Sequence, residues 1–267
     1  MTASPAPRRA AALLASALAL AGCAAARPAA SGDARAADRI RVVVLISAQA
    51  EWRALEPLLA GAAVQPSPYG PWLVHLLGGR PVVFLHGGYG KVAAAGSTQY
   101  AIDRWHPELV INLGTAGGFG EGMAVGDVVL ADRTVIYDIV ERMGDPEEAI
   151  ADFATAVDVS RWPSRLRGRV RVAPLASADR DLAPEDLARL RTRYRALAGD
   201  WESGAIAFVA ARNRTRVVIL RAVSDLVGEG GSVTYGDVAA WERSTRTVMA
   251  ALLTLADQAL PDLLDAP

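Results

Sequence analysis

The chain has 267 residues, of which 52% are hydrophobic and 21% are charged, and its formal net charge is -1. That length is enough to bury one sizeable core, arranged either as a single α/β domain or as two small ones. The near-neutral balance, without a long basic run, argues against a nucleic-acid-binding surface.

The N-terminal segment has the pattern of an export signal. Arg8 and Arg9 precede an apolar run at 10–21, which is too short to span a membrane but typical of a signal-peptide core. The run leads to Leu-Ala-Gly-Cys, which ends at Cys23, the only cysteine of the chain. These four residues resemble the bacterial lipobox, in which the signal is cut before a cysteine that then carries lipid. A chance cysteine after an alanine-rich leader is the alternative, and a sole cysteine excludes an internal disulfide.

This segment also suggests how the chain is divided. We predict a signal peptide over 1–22, then Cys23 with its lipid and a flexible tether over 23–38, and a folded domain over 39–267. The mature protein is therefore expected to be an exported bacterial lipoprotein of the cell envelope. Its lipid would hold it at a membrane, outside the cytoplasm.

Strands and helices alternate along the predicted domain. Apolar runs predict strands at 41–47, 72–77, 81–86, 108–114, 128–131, 134–139, 169–177 and 215–225. Helical patterns cover 48–59, 92–105, 184–197 and 200–211. A C-terminal amphipathic helix carries an apolar stripe of Trp241, Thr245, Val248, Leu252 and Leu255. The alternation predicts a single α/β domain with a central mixed, mostly parallel sheet flanked by helices.

Two glycine-containing segments stand beside predicted elements. Residues 87–91 lead into a helix, where backbone amides can hold an anion, although close packing of the alanine-rich helix is the favoured explanation. Residues 114–118 are predicted to turn away from a central strand, and small residues there let a ligand approach the backbone. The acidic segment 141–152 is expected to be a surface segment near the mouth of a ligand-binding site.

Three acidic residues each follow a predicted strand or open a helix beside one: Glu51, Glu202 and Asp225. Asp225 ends the strand at 215–225, where open α/β sheets place their ligands. Partial burial there disfavours the charged form of a carboxyl and makes Asp225 a candidate proton donor. Each acid alone could be a helix cap or a solvated charge. Together with the segment 114–118, they predict a cleft lined by carboxylates and backbone amides.

Four segments, taken in chain order, resemble the purine nucleoside/uridine phosphorylase superfamily. Within it, they are most similar to the 5'-methylthioadenosine/S-adenosylhomocysteine nucleosidase branch. Residues 47–51 look like its water-activating segment and residues 112–118 like its glycine turn. Residues 200–207 are similar to its ribose-binding helix and residues 221–225 to its acid-bearing strand. Shorter matches at 88–93 and 125–127 occur at the corresponding places along the chain. The resemblance runs from about Arg41 to Ala259.

The resemblance implies a role for each acidic residue. Asp225 would protonate or hydrogen-bond N7 of a purine, because a base leaves as an anion unless it gains a proton. Glu51 would accept the proton of the attacking water. Glu202 would bind the ribose hydroxyls, and nearby carboxylates would favour an oxocarbenium-like ribosyl group.

The resemblance also implies the remaining site residues and the partners. The other predicted substrate contacts are Thr115, Ala116, Gly117, Leu182, Trp201, Arg221, Ser224 and Tyr235. Among these, Tyr235 would cover the far end of the sugar, and Arg221 and Ser224 would position Asp225. The expected partners are a nucleoside substrate and a second copy of the chain in a homodimer. No metal-ligand spacing or cofactor fingerprint occurs in the sequence, so neither a metal nor a cofactor is predicted.

Some positions depart from the nucleosidase pattern. Trp201 stands where the branch carries Met, and Asp200 where it carries Glu. Residues 177–182 hold charged side chains where adenine-specific enzymes have an aromatic one. The sequence therefore leaves open which base is released.

Two alternative functions remain. Phosphorolytic relatives place cationic residues near the positions of Glu51 and Asn112, and a phosphate site without those cations would be poor. Hydrolysis is therefore favoured over phosphorolysis. A non-catalytic nucleoside-binding lipoprotein would keep Glu202 and the segment 114–118 but would need neither Glu51 nor Asp225, and both are present.

Overall fold

The computed structural model describes residues 40–265, apart from the single positions 60, 121 and 233. The predicted signal peptide, Cys23 and the tether lie outside the described residues.

The described part of the chain forms ten strands and six α-helices. The strands are β1 Val42–Ile46, β2 Trp72–Leu77, β3 Arg80–His86, β4 Leu109–Phe119, β5 Val128–Ile136, β6 Thr155–Ala156, β7 Arg171–Ser177, β8 Ala198–Asp200, β9 Arg216–Gly228 and β10 Gly231–Ser232. The helices are α1 Gln49–Leu55, α2 Gly90–Trp105, α3 Pro146–Asp152, α4 Pro184–Thr192, α5 Ser203–Arg212 and α6 Val238–Asp265. Two 3₁₀ helices cover Glu56–Leu59 and Ser164–Arg169.

All ten strands belong to one mixed sheet. Strands β3, β1, β4 and β9 lie side by side and parallel, with β2 antiparallel on the outer edge of β3. From β9 the sheet turns back through β5, β7 and β8, and β8 pairs with β4. Five strands therefore close into a ring, and the predicted mixed, largely parallel α/β architecture is confirmed.

Side chains of β1 alternate between two buried layers, as they must in a strand covered on both faces. Val42, Val44 and Ile46 pack in the layer that contains the apolar face of α6, whereas Val43 and Leu45 pack in the layer that contains α2 and α5. The continuous apolar run is explained by this double burial. Burying each such side chain stabilises the fold by roughly 1.5–3 kcal/mol.

Helix α6 confirms most of the predicted C-terminal stripe. Thr245, Val248, Leu252 and Leu255 are buried. Trp241, the first member of the stripe, instead lines a cavity near the end of the sheet. Helix α6 is also long and apolar enough to cross a membrane, but half of its most apolar window is buried in the protein. It is accordingly a core helix.

Two strands extend further towards the C-terminus than the sequence predicted. Residues 114–118 do not form a turn, because β4 continues through them to Phe119 with β9 as its partner. Strand β9 likewise continues past Asp225 to Gly228. The predicted strands at 128–131 and 134–139 are one strand, β5, whose pairing with β7 shifts register between Ala131 and Thr134.

Helix boundaries differ for local reasons. Within the predicted surface segment at 141–152, α3 forms because the Asp145 carboxylate accepts a hydrogen bond from Glu147 N and Pro146 occupies the first turn. The predicted helix at 200–211 begins only at Ser203, since Asp200 belongs to β8. The predicted helix at 184–197 is shorter, because α4 ends at Thr192.

Candidate active site

A cavity of about 360 Å³ lies beyond the carboxyl end of β1 and beside the C-terminal halves of β4 and β9. All three predicted acids line it, together with seven of the other predicted contacts: Thr115, Ala116, Gly117, Leu182, Trp201, Ser224 and Tyr235. Open α/β sheets bind ligands at this edge, and the volume lies within the range of small-molecule sites. Segments that are far apart in the chain therefore converge on one cavity.

Glu51 is held rigidly on the first turn of α1. It is buried, and its Oε2 accepts a hydrogen bond from Ala48 N at 3.1 Å. Its Oε1 accepts from Thr115 N at 2.6 Å and from Thr115 Oγ1 at 2.9 Å. These hydrogen bonds fix both oxygens of the Glu51 carboxyl at the cavity.

Glu202 lies at the N-terminus of α5 and faces the start of α2. Its Oε1 accepts a hydrogen bond from Gly90 N at 3.1 Å, and the adjacent Lys91 N donates to Asp179 Oδ1 at 2.7 Å. The glycine-rich segment that leads into α2 does bind carboxyl groups, and those groups are side chains of the protein itself. That contact fixes Glu202 in the cavity wall.

Asp200 is a buried carboxylate that sequence reasoning noted only as a departure from the family pattern. Its Oδ1 accepts from Ser177 Oγ at 2.6 Å, and its Oδ2 accepts from the Ser203 hydroxyl. Ser177 Oγ also accepts from Gly204 N at 2.9 Å. These bonds tie the end of β7 to the start of α5 and orient the cavity wall on either side of Trp201.

Arg221 is the buried counter-charge for three carboxylates. Its guanidinium lies 2.7 Å from Asp200 Oδ2, 3.4 Å from Glu202 Oε2 and 3.6 Å from Glu51 Oε1. The contact between Arg221 Nε and Asp200 Oδ2 is an ion pair only, because its geometry is not that of a hydrogen bond. Nη2 donates to Asn112 Oδ1 at 2.9 Å. Asn112 therefore orients the guanidinium.

The predicted roles of Arg221 and Gly114 need correction. Arg221 does not line the cavity, and its contacts go to Glu51, Asp200 and Glu202 rather than to Asp225, because its side chain lies beneath the cavity floor. A Cβ on Gly114 would come within 2.1 Å of Arg221 Nη1. Glycine is required there to admit the guanidinium, rather than to admit a ligand.

One guanidinium cannot neutralise three buried carboxylates. Glu202 has the weakest set of donors, since its two hydrogen bonds are 3.1 and 3.4 Å long. Burial raises the pKa of Glu202 to about 8, against the opposing effect of Arg221, and the charges of Glu51 and Asp200 add to the rise. Glu202 is therefore the carboxyl that holds a proton near neutral pH.

Replacing Glu202 by Gln is expected to remove part of the pH dependence of stability. Because the pKa of Glu202 rises on folding, ionising it costs folding free energy, and the loss develops as pH increases from about 4.5 to about 8. The wild type should therefore lose stability relative to Glu202→Gln over that interval and run parallel to it above. Thermal melts of both proteins across this range measure the difference, and a constant difference would contradict the raised pKa.

Asp225 reaches the cavity through a β-bulge. Strand β9 pairs Val223 with Ala116 and Asp225 with Gly117, so Ser224 is an extra residue in the ladder. Successive strand residues normally point to opposite faces, and a bulge re-aims them. Both Ser224 and Asp225 therefore line the cavity.

Serine hydroxyls hold the Asp225 carboxyl on both oxygens. Ser224 Oγ donates to Oδ1 at 2.7 Å, and Ser232 Oγ donates to Oδ2. Ser244 Oγ of α6 donates to the Ser224 carbonyl at 2.6 Å and fixes the bulge. Ser232 was missed by sequence reasoning, since a serine after a glycine-rich loop carries no distinctive signal.

Aromatic side chains form the remaining walls. Trp201 stacks on Tyr89 with ring centroids 4.6 Å apart, and Tyr235 OH donates to the Leu182 carbonyl at 3.0 Å. Tyr89 and Trp241 were not predicted as lining residues. His86, at the end of β3, packs on Trp52 and is not among the lining residues.

Comparison with known proteins agrees with this geometry. The family model "Phosphorylase superfamily" matches residues 63–257. The chain belongs to the phosphorylase superfamily. It is 33% identical over 171 residues to the 5'-methylthioadenosine/S-adenosylhomocysteine nucleosidase of Geobacillus thermodenitrificans, a match that covers 60% of this chain and 72% of the relative.

Two further matches extend the similarity over most of the domain. The nucleosidase of the same name from Bacillus cereus is 31% identical over 209 residues, covering 73% of this chain and 90% of the relative. The same enzyme from Neisseria meningitidis, solved in complex with methylthio-immucillin-A, superposes with a TM-score of 0.66 at 25% identity. That match covers 85% of this chain and 100% of the solved one. The predicted superfamily and its nucleosidase branch are confirmed.

Proposed function

We propose that this protein is an N-glycosyl hydrolase that releases the free base from a purine nucleoside or thio-nucleoside. The observation that carries the proposal is the presence of Glu51, Glu202 and Asp225 around one cavity, each held by its own donors. The nucleosidase relatives support the same reaction class.

Each group has a defined part in the proposed reaction. Water attacks C1' of the ribose as the bond from C1' to N9 of the base breaks, and Glu51 accepts the proton that the water loses. Asp225 supplies a proton to N7, so the base leaves neutral. Glu202 forms hydrogen bonds with the ribose hydroxyls, and the nearby Glu51 carboxylate favours the positive charge that develops on the sugar. The products are the free base and a free sugar.

Hydrolysis is favoured over phosphorolysis by the charges of the cavity. Among the described lining residues, Arg180 is the one cation, and it is already paired with Asp186. Asn112 occupies the position where phosphorolytic relatives carry a cation, and its Oδ1 accepts a hydrogen bond from Arg221. A phosphate dianion would meet carboxylates without matching donors, so water is the expected nucleophile.

Base release from a panel of purine nucleosides separates an enzyme from a binding protein. We expect free base from at least one member of a panel that includes adenosine, guanosine, inosine, 5'-methylthioadenosine and S-adenosylhomocysteine. Glu51→Gln should bind that substrate but release base more slowly by about 10²–10⁴-fold. Tight binding without release by the wild type would instead support a non-catalytic nucleoside-binding protein.

We also propose that Cys23 is lipidated and anchors the protein in the cell envelope, on the strength of Arg8, Arg9 and the apolar run that leads to this cysteine. Cys23→Ser is expected to move the protein from the membrane fraction to the soluble fraction of the producing cells, because the anchor would be lost. An unchanged distribution, or a mature protein that keeps Met1, would contradict the anchor.

A homodimer is the assembly we propose for the folded domain. Large apolar side chains are exposed on its surface, among them Tyr89, Val92, Val140 and Met143, and pairing would cover such groups. Light scattering of the domain at micromolar concentration should give twice the monomer mass. A monomer mass under those conditions would contradict this assembly.

A further inference from the structure

A second cavity, of about 180 Å³, borders the first residues of β9, whereas the active-site cavity borders the C-terminal half of that strand. Val218 lines the second cavity and Asp225 lines the active-site cavity, and the two residues lie seven positions apart on β9. In an extended strand that separation is roughly 23 Å. The two cavities share no lining residue among those described. The second cavity is therefore a separate feature that the proposed reaction does not use.

Most of the wall of the second cavity is apolar. Side chains from β5, from the segment that contains β6, from α5 and from β9 form it: Leu130, Val157, Val159, Ala207, Ala211, Val217 and Val218. Trp162 adds an aromatic ring. An apolar cavity of about 150 Å³ can hold a benzene ring. The second cavity is therefore large enough for a molecule that contains one ring.

Two arginines, Arg161 and Arg216, also line the second cavity, and both are half-buried. Arg216 Nη2 donates to the Leu263 carbonyl at 2.9 Å, whereas Arg161 makes no hydrogen bond or ion pair within the described part of the chain. Burial lowers the pKa of Arg216, and the charge of Arg161 lowers it further. Two cations thus share this cavity, and neither forms an ion pair with a described carboxylate.

The remaining polar groups of the second cavity leave hydrogen-bond donors in excess. Trp162 is only 4% exposed, and its indole N–H has no acceptor among the described residues. Buried donors normally have a partner. Among the described lining residues, Asp158 is the one carboxylate, and its Oδ1 accepts from Ser160 N at 2.9 Å. A bound molecule with acceptor oxygens and a negative charge would complement this lining.

We propose that the second cavity is a binding site for a small organic carboxylate. The carboxylate group lies between Arg161 and Arg216, whose planar guanidinium groups match its two oxygens. The apolar body of the ligand lies against Trp162 and the aliphatic wall, and its burial adds to the affinity. Benzoate has the charge and the size that this cavity fits. The inference is independent of the proposed function, because it concerns the other cavity.

The test is a calorimetric titration of the full-length protein with benzoate, benzamide and inorganic phosphate. We expect one saturable site for benzoate. Benzamide keeps the ring but lacks the charge, so it should bind at least tenfold more weakly, as is typical for the loss of a charged hydrogen-bond partner. Phosphate keeps the charge but lacks the apolar body, so it should also bind more weakly than benzoate.

Three variants assign the binding to this cavity. Arg161→Gln should weaken benzoate binding by about tenfold, because a charge-assisted pair is lost. Arg167→Gln is the matched control, since Arg167 is exposed on a 3₁₀ helix outside both cavities, and it should leave the affinity unchanged. Asp158→Asn should tighten benzoate binding, because it removes a repelling charge. Tighter binding cannot result from a loss of folding.

A crystal soaked in 4-iodobenzoate locates the bound molecule directly, and its iodine should lie in the second cavity beside Trp162. Iodine in the active-site cavity, the absence of saturable benzoate binding, or equal benzoate affinity in the wild type and Arg161→Gln would overturn the inference. Phosphate that binds more tightly than benzoate would overturn the assignment of the ligand class. Base release plays no part in these measurements, so this inference and the proposed function can fail separately.

Discussion

Replacing Asp225 by Asn is expected to slow base release by about 10²–10⁴-fold, the usual cost of removing a positioned acid. Asparagine keeps the shape of the side chain and a hydrogen-bond donor, but it cannot deliver a proton to the leaving base. Ser224 and Ser232 would still hold it in place. Nucleoside binding should therefore survive, so kcat should fall much more than KM changes.

Steady-state kinetics on the best substrate of the panel measure this effect. Asp152→Asn serves as the control, because Asp152 is an exposed carboxylate on α3 outside the cavity. Asp225→Asn should slow base release less for a substrate whose base leaves readily without protonation than for an ordinary purine nucleoside. Near-wild-type turnover of Asp225→Asn on ordinary nucleosides would show that Asp225 is not the acid.

Replacing Arg221 by Met is expected to have the largest effect on stability, a loss of about 3–5 kcal/mol. Arg221 is fully buried and contacts Glu51, Asp200 and Glu202. Methionine fills much of the volume but leaves the ionised carboxylates beside it in the interior without a counter-charge. The loss should be smaller at low pH, where those carboxyls can take up protons.

Chemical denaturation at two pH values measures that loss. Arg180→Met is the control, because Arg180 lies at the rim of the cavity, is half exposed and pairs with Asp186 near the surface. Its removal should change the free energy of unfolding by no more than about 1 kcal/mol. An Arg221→Met protein as stable as the wild type would mean that the buried carboxylates do not depend on this guanidinium.

The sequence predicted the fold and most of the cavity lining because both depend on local patterns. A continuous apolar run such as β1 is typical of a strand buried on both faces, and Glu51 follows it at the start of a helix. Asp225 was found for the same reason, as the acid after a long apolar strand. The prediction that these residues meet in one cavity came from the resemblance to the superfamily, whose members carry the same segments in the same order.

What the sequence could not predict depends on contacts between distant segments. The bulge at Ser224 comes from the pairing of β9 with β4, and no residue pattern marks it. The role of Arg221 depends on Asn112 and Asp200, which reach it from β4 and β8. Trp241 was assigned to the core by its helical spacing, but the first turn of α6 borders the cavity instead.

The most direct test of the proposed function is the dependence of base release on phosphate. The protein is incubated with its best purine nucleoside in phosphate-free buffer and again with phosphate added. Free base is followed by chromatography and sugar products by phosphorus NMR and a reducing-sugar assay. We predict the same rate in both buffers, one reducing sugar for each base released, and no ribose 1-phosphate. Release that requires phosphate and yields ribose 1-phosphate would contradict hydrolysis and identify the protein as a phosphorylase.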